Sequence, residues 1–434
     1  MKDKIYLDYA ATTPLDSEVF EAMKPYFFEK YGNAASIHQF GQEAQAGVIK
    51  ARHQVADFLN CQAEEVIFTS GATEGNNTVI KGIGGNKKIA ESLDGQPHII
   101  VSKIEHECVL GASERLEKDG VAQVSYLPPD RDGLVDLEEL RTLIKPNTVL
   151  ISVLYANNEI GTIQPIAEIG KFIKELNQNR KNKIYFHTDA AQAVNYLDCD
   201  VQKLGVDLMT LSAHKIYGPK GVGALFVRQG TPLARLLDGG EQEFKLRAGT
   251  HNTPGIVGMG AAIAKIKNPR PRPGSAEGGQ KSPASPSEAG RAKIKDTEKL
   301  RDKLIDGVLD RISHAFLNGS RDNRLPNNAN FRFDGVEGEA IVVALDLEGM
   351  AVSTGSACAA RSLEPSHVLL AIGLNALETH SSVRFSLGRY TSEQEISKVL
   401  AVLPKIIERL RNISGNLKGD GLVERAELPK DFGC

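Results

Sequence analysis

Two successive stretches decide the fold: Lys183-Ile-Tyr-Phe-His-Thr-Asp-Ala-Ala-Gln192 and Val206-Asp-Leu-Met-Thr-Leu-Ser-Ala-His-Lys-Ile-Tyr-Gly-Pro-Lys220. Each begins with a short run of β-branched, aliphatic or aromatic residues and ends in polar ones, as a buried strand does when it breaks into a loop. Working outward, the runs Val66-Ile-Phe-Thr, His98-Ile-Ile-Val, Thr148-Val-Leu-Ile-Ser-Val and Val222-Gly-Ala-Leu-Phe-Val repeat the pattern, with amphipathic stretches between them. This alternation over 66–228 predicts an α/β architecture with a mostly parallel sheet wrapped by helices. Asp136-Leu-Glu-Glu139 reads as a capping box opening a helix that ends near Ile144.

The 434-residue length exceeds what one core usually holds, so two domains are expected. Residues 268–290, rich in Pro, Gly and Ser, bury too little apolar surface to offset ordering and read as a flexible surface insertion. Beyond it, a helix near 292–313, strands near 329–333 and 382–387, and a long helix from Thr391 with Gln394 as capping partner predict a smaller α+β domain. The expected division is a large α/β domain over 15–262, the insertion, a small domain made of 1–14 and 291–412, and a loosely ordered tail over 413–434.

A net charge of −3 gives no general attraction to nucleic acid or anionic membranes. No secretory pattern or bilayer-length apolar run is present, which makes a cytoplasmic location the expectation. Five scattered cysteines, at 61, 108, 199, 358 and 434, fit neither a disulfide framework nor a metal site.

The chemistry centres on Lys215 and Asp189. An amine can condense with an aldehyde cofactor, and a carboxylate aimed at a pyridine nitrogen keeps that nitrogen protonated, so the pair suggests a pyridoxal phosphate site. Phe68-Thr-Ser-Gly-Ala-Thr-Glu-Gly75 turns from a strand into a helix, either as a phosphate cradle or as a plain turn. Ser212 and His214 could add donors to the same phosphate. His106 follows another strand, where its imidazole would lie on the ring or simply start a helix. Asn158 and Gln192 sit at equivalent strand ends and offer amides to the ring oxygen or the substrate, or cap their turns. Cys358, in Gly355-Ser-Ala-Cys-Ala-Ala360, reads by composition as a structural thiol or as a reactive one on a mobile loop.

The combination of Tyr6-Leu-Asp-Tyr-Ala-Ala-Thr-Thr-Pro14, Thr69-Ser-Gly-Ala-Thr-Glu74, Asn157-Asn-Glu-Ile-Gly161, Ser212-Ala-His-Lys-Ile-Tyr-Gly-Pro-Lys-Gly221, Arg247-Ala-Gly-Thr250 and Ser353-Thr-Gly-Ser-Ala-Cys358 closely resembles the cysteine desulfurases of the class V aminotransferase fold. That resemblance implies a fold-type-I transferase with a seven-stranded sheet. It implies Lys215 as the lysine that binds the cofactor aldehyde, Asp189 at the ring nitrogen, His106 on the ring and Gln192 at its oxygen. Ala72, Thr73, Ser212 and His214 would complete the cofactor site, with Thr250 reaching the phosphate of a neighbouring subunit in a homodimer. Asn158 would face cofactor and substrate, and Asn33 and Arg384 would hold the substrate carboxylate. Cys358 would take sulfur from L-cysteine as a persulfide, leaving alanine, and pass it to a protein acceptor for iron–sulfur clusters or tRNA thiolation. Selenocysteine lyase, another class V enzyme and a non-catalytic homologue are the alternatives. The other cysteines read as structural, although Cys108 starts a helix close enough to His106 to leave an influence on the site open. The insertion and the absence of a proline after Asn33 depart from the family pattern.

Overall fold

The computed structural model describes residues 4–93, 95–266, 286–354 and 364–415, with no side-chain detail at 286–293 or 414. The strands in chain order are β1 (Ile5–Tyr6), β2 (Val66–Thr69), β3 (His98–Ser102), β4 (Gln123–Leu127), β5 (Thr148–Ser152), β6 (Tyr185–Asp189), β7 (Leu208–Ser212), β8 (Gly223–Val227), β9 (Ala315–Leu317), β10 (Asn328–Phe333), β11 (Met350–Ala351) and β12 (Ser382–Ser386). Seven of them form one sheet in the order β2-β8-β7-β6-β5-β3-β4. Only β8 opposes its neighbours; the other six run the same way, so their carboxyl ends share one edge.

Both faces of this sheet are covered, which is why its strands are apolar runs rather than polar–apolar alternations. Val66, Phe68, Ile100, Phe226 and the helices Gln39–Leu59, Ile166–Asn177 and Thr253–Lys265 contribute to one core. Ile67, Ile99, Val101, Leu225 and Val227 point the other way, into a core shared with the helices Ala72–Gly84 and Glu107–Lys118. The edge strand β4, Gln-Val-Ser-Tyr-Leu, was not among the six apolar runs because only Leu127 of its residues is buried.

A second antiparallel sheet, β12-β10-β9, shares a separate core with the helices Pro286–Arg311, Gly338–Leu347 and Glu393–Ser414. Ile5 and Leu7 join this core, and β1 pairs in parallel with β11, so the N-terminal segment packs with residues more than 300 positions away.

Three local expectations need correction. Asp136 does cap the helix Leu137–Leu143, but through Glu138 N–H, and no return bond from Glu139 is found among the described residues. The C-terminal helix starts one residue later than expected, with Ser392 as N-cap and Glu395 as its capping-box partner. Thr391 is unavailable because its hydroxyl accepts from Gly388 N–H at 2.9 Å. The helix begun at Pro286 includes the last five residues of the expected insertion, 286–290; residues 267–285, like the tail beyond Gly415, lie outside the described residues.

Candidate active site

A cavity of about 530 Å³ opens at the carboxyl edge of the large sheet, and its walls come from the loops that follow five strands. After β2 come Ala72 and Thr73, after β3 His106, after β5 Asn158, after β6 Gln192, and after β7 His214 and Lys215; Asp189 and Ser212 end their strands there. The edge of an open α/β sheet is where loops converge and where first-turn N–H groups of helices face outward. Arg384 reaches the same cavity from β12 of the second sheet. Asn33 and Thr250 are exposed and do not line it, while Cys358 lies outside the described residues.

Asp189 is 7% exposed and firmly held. Its Oδ2 accepts from Asn76 Nδ2 at 2.6 Å and its Oδ1 from Ala191 N–H at 2.9 Å. The Lys215 ammonium donates to the carbonyls of Ala10 and Ala11, at 2.6 and 2.9 Å, so the N-terminal segment forms one wall of the cavity. Gln192 Nε2 donates to the same Ala10 carbonyl at 2.9 Å.

The opposite end is built for an anion. The helix Ala72–Gly84 starts at Gly71, whose φ of +151° excludes an ordinary side chain. The strand behind it approaches closely at Gly223, where an added Cβ would stand 2.8 Å from Gly71 Cα. Backbone N–H groups of the helix start, together with Ser212 and His214, make a donor set suited to a phosphate. Burial, then the nearby Lys215 and Lys220 charges, lowers the His214 pKa to about 4, so its imidazole is neutral at physiological pH. Glu74, in the first turn, would repel an anion, but Arg247 pairs with it at 3.0 Å.

Beneath the site, Glu105 is fully buried. Its Oε1 accepts from Ser102 Oγ at 3.1 Å and Leu154 N–H at 2.5 Å, while Oε2 has no partner among the described residues. Burial, with the neighbouring Asp189 charge, raises its pKa to about 8, so it is largely protonated at neutral pH and adds little negative charge beneath the cavity. Arg384 is 2% exposed and is held by Asp8 Oδ1 at 2.8 Å and by the Asn158 carbonyl at 2.9 Å.

Sequence reasoning missed Asn76, Glu105 and the Ala10–Ala11 carbonyls. Asn76 could have been found as a lone amide on the apolar face of its helix, one turn after Ala72. The carbonyls carry no side-chain signal. Cys61 and Cys199 are structural thiols, both pushed up to about 12, chiefly by burial. Among the described residues, no helix is long and apolar enough to cross a membrane.

A carboxylate for a pyridinium nitrogen, an amine for an aldehyde and a helix start for a phosphate fit pyridoxal phosphate as a set. The chain's relatives agree. "Cysteine desulfurase IscS" of Dictyoglomus turgidum is 49% identical over 414 residues, covering 95% of this chain and 97% of the relative. The protein of the same name from Methanosarcina thermophila is 45% identical over 94% of this chain and 93% of its own. Among solved structures, a "NifS-like protein" superposes with a TM-score of 0.81 at 34% identity, over 94% of this chain and 100% of that one. "SspA in complex with cysteine" does so with a TM-score of 0.73 at 37% identity, over 89% and 100%. The "Aminotransferase class-V" model matches residues 5–270 and 284–399, stepping over most of the Pro/Gly/Ser-rich segment, and with these relatives it establishes that the chain belongs to the class V aminotransferase family.

Proposed function

We propose that the protein is a pyridoxal phosphate-dependent cysteine desulfurase that converts L-cysteine to L-alanine and receives the sulfur on Cys358. The observation that carries this reading is the convergence of Lys215, Asp189, His106 and Arg384 on one cavity from separate elements. Lys215 would hold the cofactor's aldehyde end, Asp189 the ring nitrogen and Gln192 the ring oxygen. Ala72 and Thr73, at the helix start, would hold the phosphate with Ser212 and His214. When bound, the cofactor supplies an aldehyde that captures the substrate amine and a ring that accepts electrons from the substrate.

The chain's own groups supply the rest. Asp189, beside a largely neutral Glu105, favours a proton on the ring nitrogen. Arg384 and Asn158 would orient the substrate carboxylate, a geometry for which a guanidinium fork is suited; Asn33, exposed in a single subunit, is proposed for the same carboxylate. Lys215 Nζ would take the α-proton, with His106 Nε2 as a second proton-handling atom. The Cys358 thiolate would attack the substrate sulfur. The carbon–sulfur bond breaks, a sulfur–sulfur bond forms, and the electron pair left on carbon takes a proton to give alanine.

The reading includes a homodimer. Phe27, Phe28, Tyr31, Ile37 and Phe40 are 51%, 76%, 65%, 93% and 51% exposed along one segment, an apolar strip of the kind that a second subunit covers. Thr250, exposed and outside its own cavity, is suited to reach a neighbour's phosphate. The persulfide sulfur would pass to a protein acceptor in iron–sulfur cluster assembly or tRNA thiolation.

The test is the intact mass of cofactor-loaded protein after L-cysteine without reductant, with peptide mapping. One added sulfur on the Cys358 peptide and released alanine are expected, and Cys358→Ser should gain none. A loaded parent that releases alanine without that sulfur, or transfers the amino group instead, would reject the reading.

A further inference from the structure

Cys108 stands between His106 and the buried Asn76–Asp189 pair, and hydrogen-bond polarity can be followed through it. A carboxylate only accepts, so the contact from Asn76 to Asp189 Oδ2 fixes which end of the amide is nitrogen. The same Nδ2 lies 3.2 Å from Cys108 Sγ, and its second hydrogen therefore points to sulfur. Asn76 is 0% exposed, and its Oδ1 has no partner among the described residues. An amide held with its own acceptor unsatisfied is being oriented by the two contacts on its nitrogen.

On the other side of the sulfur, His106 Nδ1 accepts from the Cys108 backbone N–H at 3.2 Å and lies 3.1 Å from Cys108 Sγ. A ring nitrogen that accepts an amide hydrogen carries none of its own, so the sulfur must be the donor in the second contact. It has a proton to give: burial, then the Asp189 charge, pushes the Cys108 thiol up to about 12 despite hydrogen bonds from the Asn76 and Thr73 side chains. Cys108 and His106 both line the cavity.

We propose that Cys108 is a positioning residue whose thiol accepts from Asn76 and donates to His106 Nδ1, joining its own backbone N–H in holding the imidazole in the tautomer with its hydrogen on Nε2. The chain Asp189, Asn76, Cys108, His106 then links the carboxylate assigned to the cofactor nitrogen with the imidazole assigned to the ring face. The His106 Nε2 hydrogen is thereby kept available to donate. The inference deepens the desulfurase reading and rests on it only for its effect on turnover.

The test is ¹⁵N-histidine NMR of the resting, cofactor-loaded enzyme, with His106 assigned by its loss in His106→Gln. The parent should show a bare Nδ1 and a protonated Nε2. Cys108→Ser, whose hydroxyl also accepts and donates, should keep that signature. Cys108→Ala keeps the backbone N–H donor and loses the thiol, so it should retain the Nε2 hydrogen, move the Nδ1 signal toward that of a more weakly hydrogen-bonded ring nitrogen, and lower kcat about fivefold at unchanged KM, the size of one net hydrogen bond. A parent with the hydrogen on Nδ1, or a Cys108→Ala spectrum matching the parent's, would overturn the proposal. Because the spectrum is recorded without L-cysteine, a failure of desulfuration is read separately.

Discussion

Glu243→Gln tests how the segment 239–250 is held against the cofactor-binding edge. Glu243, Phe244 and Lys245 have φ values of 46°, 56° and 69°, a left-handed stretch without a glycine. At about 1–2 kcal/mol per residue, this conformation stores roughly 3–6 kcal/mol that contacts must offset. The offset comes from Glu243, whose side chain is 1% exposed. Arg52 grips it through two nitrogens at 2.7 and 2.6 Å, His251 Nε2 lies 2.6 Å away and Phe68 N–H donates at 2.8 Å. Burial alone would raise its pKa, but these hydrogen bonds and the Arg52 charge outweigh burial and hold it at about 2 against 4.5.

That difference corresponds to about 3 kcal/mol of stabilisation by the ionised form. Because the folded value is depressed, the contribution is present above pH 4.5 and is lost as pH falls toward 2. Glutamine keeps the shape and removes the charge, leaving Arg52 buried without its partner, a change that costs about 3–5 kcal/mol in comparable pairs. Urea unfolding of the cofactor-loaded protein at fixed concentration should show a loss of about 3 kcal/mol near pH 7. Hydrogen exchange should accelerate at 243–250, the stretch that carries Arg247 and Thr250. If the unfolding midpoint and the exchange rates both match the parent's, the anchoring argument is wrong.

Glu105→Gln should differ from the parent mainly in pH dependence. The folded pKa is raised to about 8, so the parent loses on the order of 5 kcal/mol between pH 4.5 and 8, a loss absent from the variant; parallel stability profiles would refute this. Arg384→Lys should raise KM for L-cysteine about tenfold or more by replacing the guanidinium fork with a point charge, and steady-state kinetics would show it. Asp189→Asn should cut alanine formation roughly 100-fold, the value of a charge-assisted bond, while gel filtration still shows a folded protein. Lys215→Ala should release no alanine, and substantial turnover without added amine would reject its role.

The sheet was legible because its signals are local. Runs such as Thr148-Val-Leu-Ile-Ser and Gly223-Ala-Leu-Phe-Val are buried on both faces, and burial selects the β-branched and aliphatic residues that mark a strand. Lys215 was legible too, because it stands in one of six motifs whose combination resembles one family; that resemblance also pointed to Asp189, His106 and Arg384, which line the same cavity.

What holds these residues was decided by tertiary structure alone. The Lys215 amine meets carbonyls 205 and 204 residues earlier, and backbone oxygens look alike in every sequence. Asn76 meets Asp189 across 113 residues, and Arg384 meets Asp8 across 376. Whether Ser392 or Thr391 caps the last helix turned on where Gly388 N–H falls. Sequence specifies elements through side-chain period and local hydrogen bonding. The pairing of polar atoms from distant elements, and the charge states that follow from shared burial, exist only once the chain has closed on itself.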